Sequence, residues 1–378
     1  MPYWHLSGFY FAHFAFIGAF TPYWSLYLKS IDFSAFQIGI VTSVMQAMRI
    51  FAPNLWGWLA DRTGKRASLV RIASFISLIL YTGYFFGKSF TWIFLVTALM
   101  SFFWSACLPL VEAITLSHLR GSVEKYGMIR SWGSVGFIFA VIGLGYLLDR
   151  FPLSSLIWAT TGFMAGMVIF ARRIPEVEEH HHEAEAVPVL SILGRSEVIA
   201  LFASCLLMSA AHGIYYAFYS IYLADHGYLK SSIGWLWSIG VICEIGVFFF
   251  MPKIMARFSL KAILAFSLAC AVARFFMIGW GVGFLSLLII AQVLHAATFG
   301  SHHAAAMAAI HHFFRGRHQS RGQSFYTSLV YGVGGTLGAF AGGLAWERLG
   351  PAPTFGIASL AALAGLVWLG AKFRISPG

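Results

Sequence analysis

The length of its apolar runs constrains this chain more than any other feature. They fall at 5–28, 37–60, 67–87, 92–117, 127–148 and 153–171, and again at 197–223, 232–252, 260–280, 284–310, 323–346 and 352–371. A bilayer has a hydrocarbon core of about 30 Å, which takes roughly 20 helical residues to cross. Within that core no water satisfies the peptide groups, so a spanning segment must be a helix or part of a closed barrel, and the short alternating strands of a barrel do not appear here. The runs predict an all-α membrane protein with twelve transmembrane helices. The first run is too long for a signal-peptide core and has no basic leader, so it is expected to be retained.

Composition agrees, since 59% of residues are hydrophobic and only 10% charged, far from the roughly 25% charged of a soluble domain. A formal charge of +11 would suggest a nucleic-acid partner in a soluble protein, so the position of the basic residues decides. With the N-terminus inside, the inner connections hold sixteen: Arg62, Lys65, Arg66, Arg120, Lys125, Arg172, Arg173, Arg195, Lys253, Arg257, Lys261, Arg315, Arg317, Arg321, Lys372 and Arg374. The outer ones hold five: Lys29, Lys88, Arg150, Lys230 and Arg348. That bias puts both termini in the cytoplasm and assigns the basic residues to topology rather than to nucleic acid. Cys107, Cys205, Cys243 and Cys270 each lie in an apolar run without CxxC spacing, as reduced packing residues do.

The chain also repeats itself at an offset of 195. Tyr23-Trp24-Ser25-Leu26-Tyr27-Leu28 faces Phe218-Tyr219-Ser220-Ile221-Tyr222-Leu223, Ile38-Gly39 faces Ile233-Gly234, Arg62 faces Arg257 and Gly127 faces Gly322. Two pseudosymmetric six-helix bundles are expected, at 1–171 and 196–378, joined by a cytoplasmic linker at 172–195, with a substrate site near the midplane between repeats. The same offset sets Arg49 against Glu244, an asymmetry of charge read here as functional.

After the second run the chain reads Gly57-Trp58-Leu59-Ala60-Asp61-Arg62-Thr63-Gly64-Lys65-Arg66. This resembles the G-x-x-x-D-R-x-G-R/K-R signature of the major facilitator superfamily. The resemblance implies a gating loop of Gly57, Asp61, Arg62, Gly64, Lys65 and Arg66, in which Asp61 and the Arg/Lys cluster exchange partners as the halves rock; the alternative is a positive-inside loop with a turn glycine. The counterpart at 255–261 keeps Arg257 but lacks the acid. Val111-Glu112-Ala113, followed by Arg130 within Tyr126-Gly127-Met128-Ile129-Arg130-Ser131-Trp132-Gly133-Ser134, is similar to the lactose permease and 3-phenylpropionic acid transporter branch. The likeness to the second family extends over nearly the whole chain. It includes Pro22-Tyr23-Trp24-Ser25, the run from His212 to Tyr219, Gly234-Trp235-Leu236-Trp237-Ser238, Glu244, Arg274 and Gln292-Val293-Leu294-His295.

Only two of the fourteen acidic residues, Glu112 and Glu244, lie well within apolar runs, alongside Arg49, Arg71, Arg130 and Arg274. A charge near the bilayer centre costs on the order of 3 kcal/mol, so such groups face a cavity or a partner. Glu112 and Arg130 sit near the cytoplasmic ends of consecutive runs and can meet at similar depth. The resemblance implies that they bind substrate, although the aromatic seven residues after the arginine is Phe137 rather than Trp; the alternative is a pair that only ties two helices. Arg49 has no acid within its own run, which suits a carboxylate ligand held bidentately, unless it pairs with Glu112 or Glu244. Tyr23, Trp24, His212, Tyr215, Tyr216, Tyr219 and Trp237 complete the expected aromatic lining.

The resemblance further assigns proton coupling to Glu244, Arg274 and His295. A carboxyl that alternates between desolvation and pairing with a guanidinium loads and releases a proton. The permease's second acid, one turn after the histidine, is Thr298 here, which leaves Glu244 alone or with His302 or His303; a merely structural Glu244–Arg274 pair is the alternative. His180-His181-His182 among Glu176, Glu178, Glu179, Glu183 and Glu185 is read as a solvated linker rather than a metal site. Neither a nucleotide-binding loop nor ligand-spaced carboxylates or cysteines beside His302-His303 and His311-His312 occur, so neither ATP-driven transport nor an enzyme is expected.

These readings predict a proton symporter of the bacterial inner membrane, importing a small aromatic carboxylate by alternating access. Its partners are substrate, protons and the lipid bilayer; it needs no cofactor beyond the proton gradient, and a monomer is expected. A sugar or nucleoside symporter is the nearest rival, with a drug-efflux antiporter and a transport-dead membrane sensor behind it.

Overall fold

The computed structural model describes residues 2–119, 123–176, 190–315 and 318–373. Arg120, Arg317, Arg374, the histidines at 180–182 and the acids at 178, 179, 183 and 185 lie outside the described residues. No strand occurs among the described residues. The helices are α1 (Tyr3–Ser30), α2 (Ala35–Thr63), α3 (Arg66–Tyr81), α4 (Phe90–Leu119), α5 (Val123–Arg150), α6 (Ser155–Arg173), a single turn α7 (Leu190–Leu193), α8 (Ser196–Asp225), α9 (Lys230–Arg257), α10 (Leu260–Gly281), α11 (Leu285–His295), α12 (His302–Phe313), α13 (Gln319–Tyr326), α14 (Gly335–Leu349) and α15 (Pro351–Lys372).

Among the described residues eleven helical stretches are long and apolar enough to cross a membrane, with α11 and α12 counted as one stretch and α13 and α14 as another. The helix α1 is not among the eleven. At 28 residues it has the length, but its Tyr, Trp, His and Ser residues dilute its hydropathy, and most of them are buried. Both composite stretches contain π-helix, at Ala296–Ser301 and Thr327–Gly334, where the apolar runs alone predict plain α-helix.

The chain forms two compact units. The first comprises Met1–Glu183 with Tyr228–Trp235. In it α1 packs on α5 and α6, α2 on α4, and α3 on α4 and α6. Glycine makes the α1–α5 approach possible: Gly136 lies directly under the Phe11 carbonyl and Gly18 against the backbone of Phe137, so a Cβ at either would collide with main chain. Asp149, near the end of α5, accepts the backbone N–H groups of Lys230 (2.7 Å) and Ser231 (3.1 Å) and so caps the first turn of α9, where unpaired N–H groups favour a carboxylate.

The second unit comprises Ala184–Gly227 with Leu236–Gly378. There α8 packs on α14 and α15, and α10 on α11 and α15. Small residues again set the spacing: Gly334 and Gly338 meet the carbonyls of Leu206 and Ala210, and Gly213 meets that of Gly335, the close contact expected where helices pack without a hydrophobic driving force. All four cysteines are free thiols.

Candidate functional site

In the first unit Glu112 and Arg130 each lie seven residues from the helix ends that flank the α4–α5 connection. That spacing brings them to one depth. Arg130 Nε stands 3.7 Å from Glu112 Oε1, with about a third of each side chain exposed. The distance defines an ion pair but exceeds hydrogen-bond range, so a ligand carboxylate can compete for the guanidinium. The guanidinium lies 4.0 Å above the ring of Phe14 and 5.7 Å from that of Tyr10, both on α1, in cation–π contact. Gly133, one turn beyond Arg130, leaves the space that Phe14 fills. Tyr126 lies near Glu112, Tyr10 and Arg130, and Tyr10 bonds Thr115 at 3.3 Å.

The other residues expected here take different places. The aromatic against Arg130 is Phe14, whereas Phe137 is two turns further along α5 with its backbone against Gly18. Tyr23 donates its hydroxyl to Val141 O (2.7 Å) and Lys230 O (3.1 Å). Trp24 stacks on Phe20 at 4.5 Å and meets Tyr84 at 4.7 Å. Both lie nine or more residues beyond Phe14, about 13 Å along the helix axis, and serve packing in the structure. Arg49 and Arg130 are the charged neighbours of His13 on α1.

The signature loop is resolved into a cap and an ion pair. The α2 helix ends at Gly64, whose φ of 65° is the left-handed conformation glycine adopts without strain, and its N–H bonds Ala60 O at 2.9 Å. The reversed chain puts Arg66 Nη2 3.1 Å from Asp61 Oδ1. Arg62 lies over the Trp58 ring at 5.5 Å, Lys65 precedes the first turn of α3, and Gly57 faces open space. Glu176, read from sequence as part of a solvated run, caps α3 by accepting from Ala67 N (2.7 Å) and Ser68 N (3.1 Å), while Arg71 donates to Ile174 O at 2.6 Å.

In the second unit a polar cluster is buried among α8, α9, α10 and α11. Arg274 is fully buried. Its Nε donates to Ala291 O (2.9 Å), and its Nη1 lies 3.3 Å from His212 Nε2 and 3.4 Å from Thr298 Oγ1. The guanidinium sits 4.2 Å from the Tyr215 ring centroid, and Tyr215 donates to Gln292 Oε1 at 3.0 Å. Glu244 faces His295, Oε2 to Nε2 3.9 Å. The π-helical turn after His295 presents Gly300 to the Glu244 side chain and Thr298 to Arg274, as such turns do at functional sites.

The Glu244–Arg274 pair that the sequence left open as a structural alternative is not among the contacts of Arg274. Arg274 is fixed by the Ala291 carbonyl and the Tyr215 face, while Glu244 is directed at α11. His212, expected to line the substrate site, instead holds Arg274: its Nδ1 is 2.9 Å from Met208 O, which fixes the hydrogen there and leaves Nε2 as the acceptor. Tyr216 and Trp237 stack at 6.0 Å beside it, and Trp237 Nε1 donates to Ser220 Oγ at 3.0 Å. His302 is buried one turn beyond Thr298, and both its ring nitrogens are without a partner. Sequence reasoning missed Tyr10 and Phe14; Gly133 and Gly136, which admit α1 to α5, are the signal that points to them.

An all-helical chain in two bundles, with ionised side chains gathered inside each, defines a membrane transporter of the major facilitator type. Residues 3–357 match the MFS_1 like family, and the chain belongs to it. It is 28% identical over 345 residues, 90% of each chain, to the probable 3-phenylpropionic acid transporter of Escherichia coli (strain K12). It is 32% identical over 168 residues, 44% of this chain and 43% of the other, to the maltose permease of Geobacillus stearothermophilus. Among solved structures, a mutant form of the nucleoside transporter NupG matches with a TM-score of 0.88 at 19% identity, covering 99% of this chain and 100% of that one.

Proposed function

We propose that this protein is a proton-coupled symporter that imports a small aromatic carboxylate, of the 3-phenylpropionate kind, by alternating access. The observation that carries the reading is Arg130 on its aromatic bed. A planar guanidinium takes a carboxylate bidentately, and the half-buried Phe14 beside it offers an aromatic contact for an aryl ring. Arg49, the second guanidinium near His13, leaves this part of the first unit with more positive than negative charge, which favours an anion. The name of the Escherichia coli relative points the same way. Glu244 is the proton carrier, with His295 as its acceptor neighbour; Arg274, held by His212 and Thr298, supplies the fixed positive charge of that cluster. Twelve spans, with α1 as the first, both termini in the cytoplasm and a monomer in the bacterial inner membrane complete the proposal.

A second reading, a sugar or nucleoside symporter, is favoured by Glu112 beside Arg130, because a carboxylate accepts hydrogen bonds from hydroxyls; the maltose permease relative fits it. Purified protein in liposomes with an imposed inward proton gradient separates the two. Radiolabelled 3-phenylpropionate should accumulate, and a protonophore should abolish the accumulation. Concentrative uptake of maltose or uridine, with none of the arylpropionate, would replace the first reading by the second.

A further inference from the structure

The pair of stacked rings His13 and Trp104 has no part in the functions assigned so far. His13 is 1% exposed and Trp104 5%. Their rings are parallel, 4.8 Å apart and 4° from coplanar. His13 also meets Phe14 edge-on at 5.3 Å, and Phe14 carries the Arg130 guanidinium. The two rings therefore lie directly behind the Phe14 ring of the Glu112–Arg130 site.

Their hydrogen-bonding groups are complementary and unused. His13 Nδ1 lies 3.4 Å from Met167 Sδ. A thioether has no hydrogen to give, so the ring nitrogen there carries the proton, and Nε2 is a bare lone pair. That lone pair has no partner. The indole Nε1 of Trp104 can only donate, and it too is buried without a partner. Buried polar groups left unmatched are disfavoured and few; here an acceptor and a donor go unmatched on adjacent stacked rings.

We propose that His13 and Trp104 hold a hydroxyl group of the transported molecule, so that the preferred substrate is a hydroxylated one. A hydroxyl both donates, to His13 Nε2, and accepts, from Trp104 Nε1. A carboxylate can only accept, and an unsubstituted phenyl ring does neither. The inference rests on the proposed function only in seating the ligand next to Arg130; the ligand chemistry is the hydroxyl, whether it belongs to a phenolic acid or to a sugar or nucleoside.

The test is calorimetric binding to the purified full-length protein with matched ligand pairs: 3-(3-hydroxyphenyl)propionate against 3-phenylpropionate, and uridine against its 2′,3′-dideoxy analogue. In at least one pair the hydroxylated member should bind about tenfold more tightly, as the gain or loss of such a hydrogen bond implies. His13→Phe and Trp104→Phe, which keep the stack, should each bring that ratio close to one. A dependence on His13 in the uridine pair, with no binding of either arylpropionate, supports the hydroxyl site while overturning the carboxylate reading. Equal affinities within both pairs for the wild-type protein would overturn the proposal, a comparison that needs no variant to fold; so would a hydroxyl preference that survives both substitutions.

Discussion

Arg130 shows what a single ionised side chain requires inside an apolar bundle. Its charge is met by Glu112 at 3.7 Å and by the Phe14 face at 4.0 Å, and the second contact depends on a flat, delocalised cation. Arg130→Lys keeps the charge but replaces the planar fork by a compact, strongly hydrated ammonium. Uptake of the arylcarboxylate should fall at least tenfold, measured as initial rate in proteoliposomes; a wild-type rate would remove the guanidinium from substrate binding. Glu244→Gln removes the carboxylate that faces His295. It should abolish accumulation against a gradient while leaving exchange of labelled for unlabelled substrate, and accumulation at the wild-type level would exclude Glu244 as carrier. The charged residues inside each unit were legible in sequence, because their insertion cost singles them out. Their exact partners were not: His212 takes the place expected of an acid beside Arg274. Nor was Phe14 legible as the ring under Arg130, since one Phe among 37 carries no signal of its own.

At the scale of the element, hydropathy runs gave the long helices, and turn chemistry gave the end of α2 at Gly64, where a left-handed cap lets the chain reverse. The two π-helical turns left no mark in those runs, because a π-turn changes the register of a helix without changing its composition. The helix α1 illustrates the opposite case: buried on several sides, it needs no strongly apolar surface and falls below the hydropathy of the eleven candidate spans among the described residues. Glycine makes element packing testable. Gly338 of α14 lies against the Ala210 carbonyl of α8, whereas Gly246 of α9 has nothing within 4 Å of a Cβ. Gly338→Leu must push two backbones apart, at a cost of about 1–3 kcal/mol or more for overpacking, and should lower both the yield of monodisperse protein and its melting temperature in detergent. Gly246→Ala should leave both unchanged or slightly raised, since alanine favours helix by about 1 kcal/mol. Equal effects of the two substitutions would mean that the α8–α14 contact does not limit stability.

Two units of similar build, each with its own cluster of ionised groups, make one transporter only if the membrane sees them in a fixed orientation. The Lys and Arg asymmetry between alternate connections predicts that orientation, since short basic loops resist transfer across the bilayer. On the proposed topology Lys65, Lys253 and Lys372 are expected to face the cytoplasm, and Lys29, Lys88 and Lys230 the other surface. In a variant with its four cysteines replaced, single cysteines at Lys29 and Lys88 should react in intact cells with a membrane-impermeant maleimide. Cysteines at Lys65 and Lys372 should react only after the membrane is opened. The pattern bears on α1 in particular, the helix whose hydropathy leaves its crossing least marked: if α1 does not span, the two ends of that helix lie on one side of the membrane, and a cysteine at position 3 labels together with one at Lys29. Labelling at Lys29 but not at position 3 in intact cells requires α1 to cross, and with it an even number of spans and both termini on the cytoplasmic side.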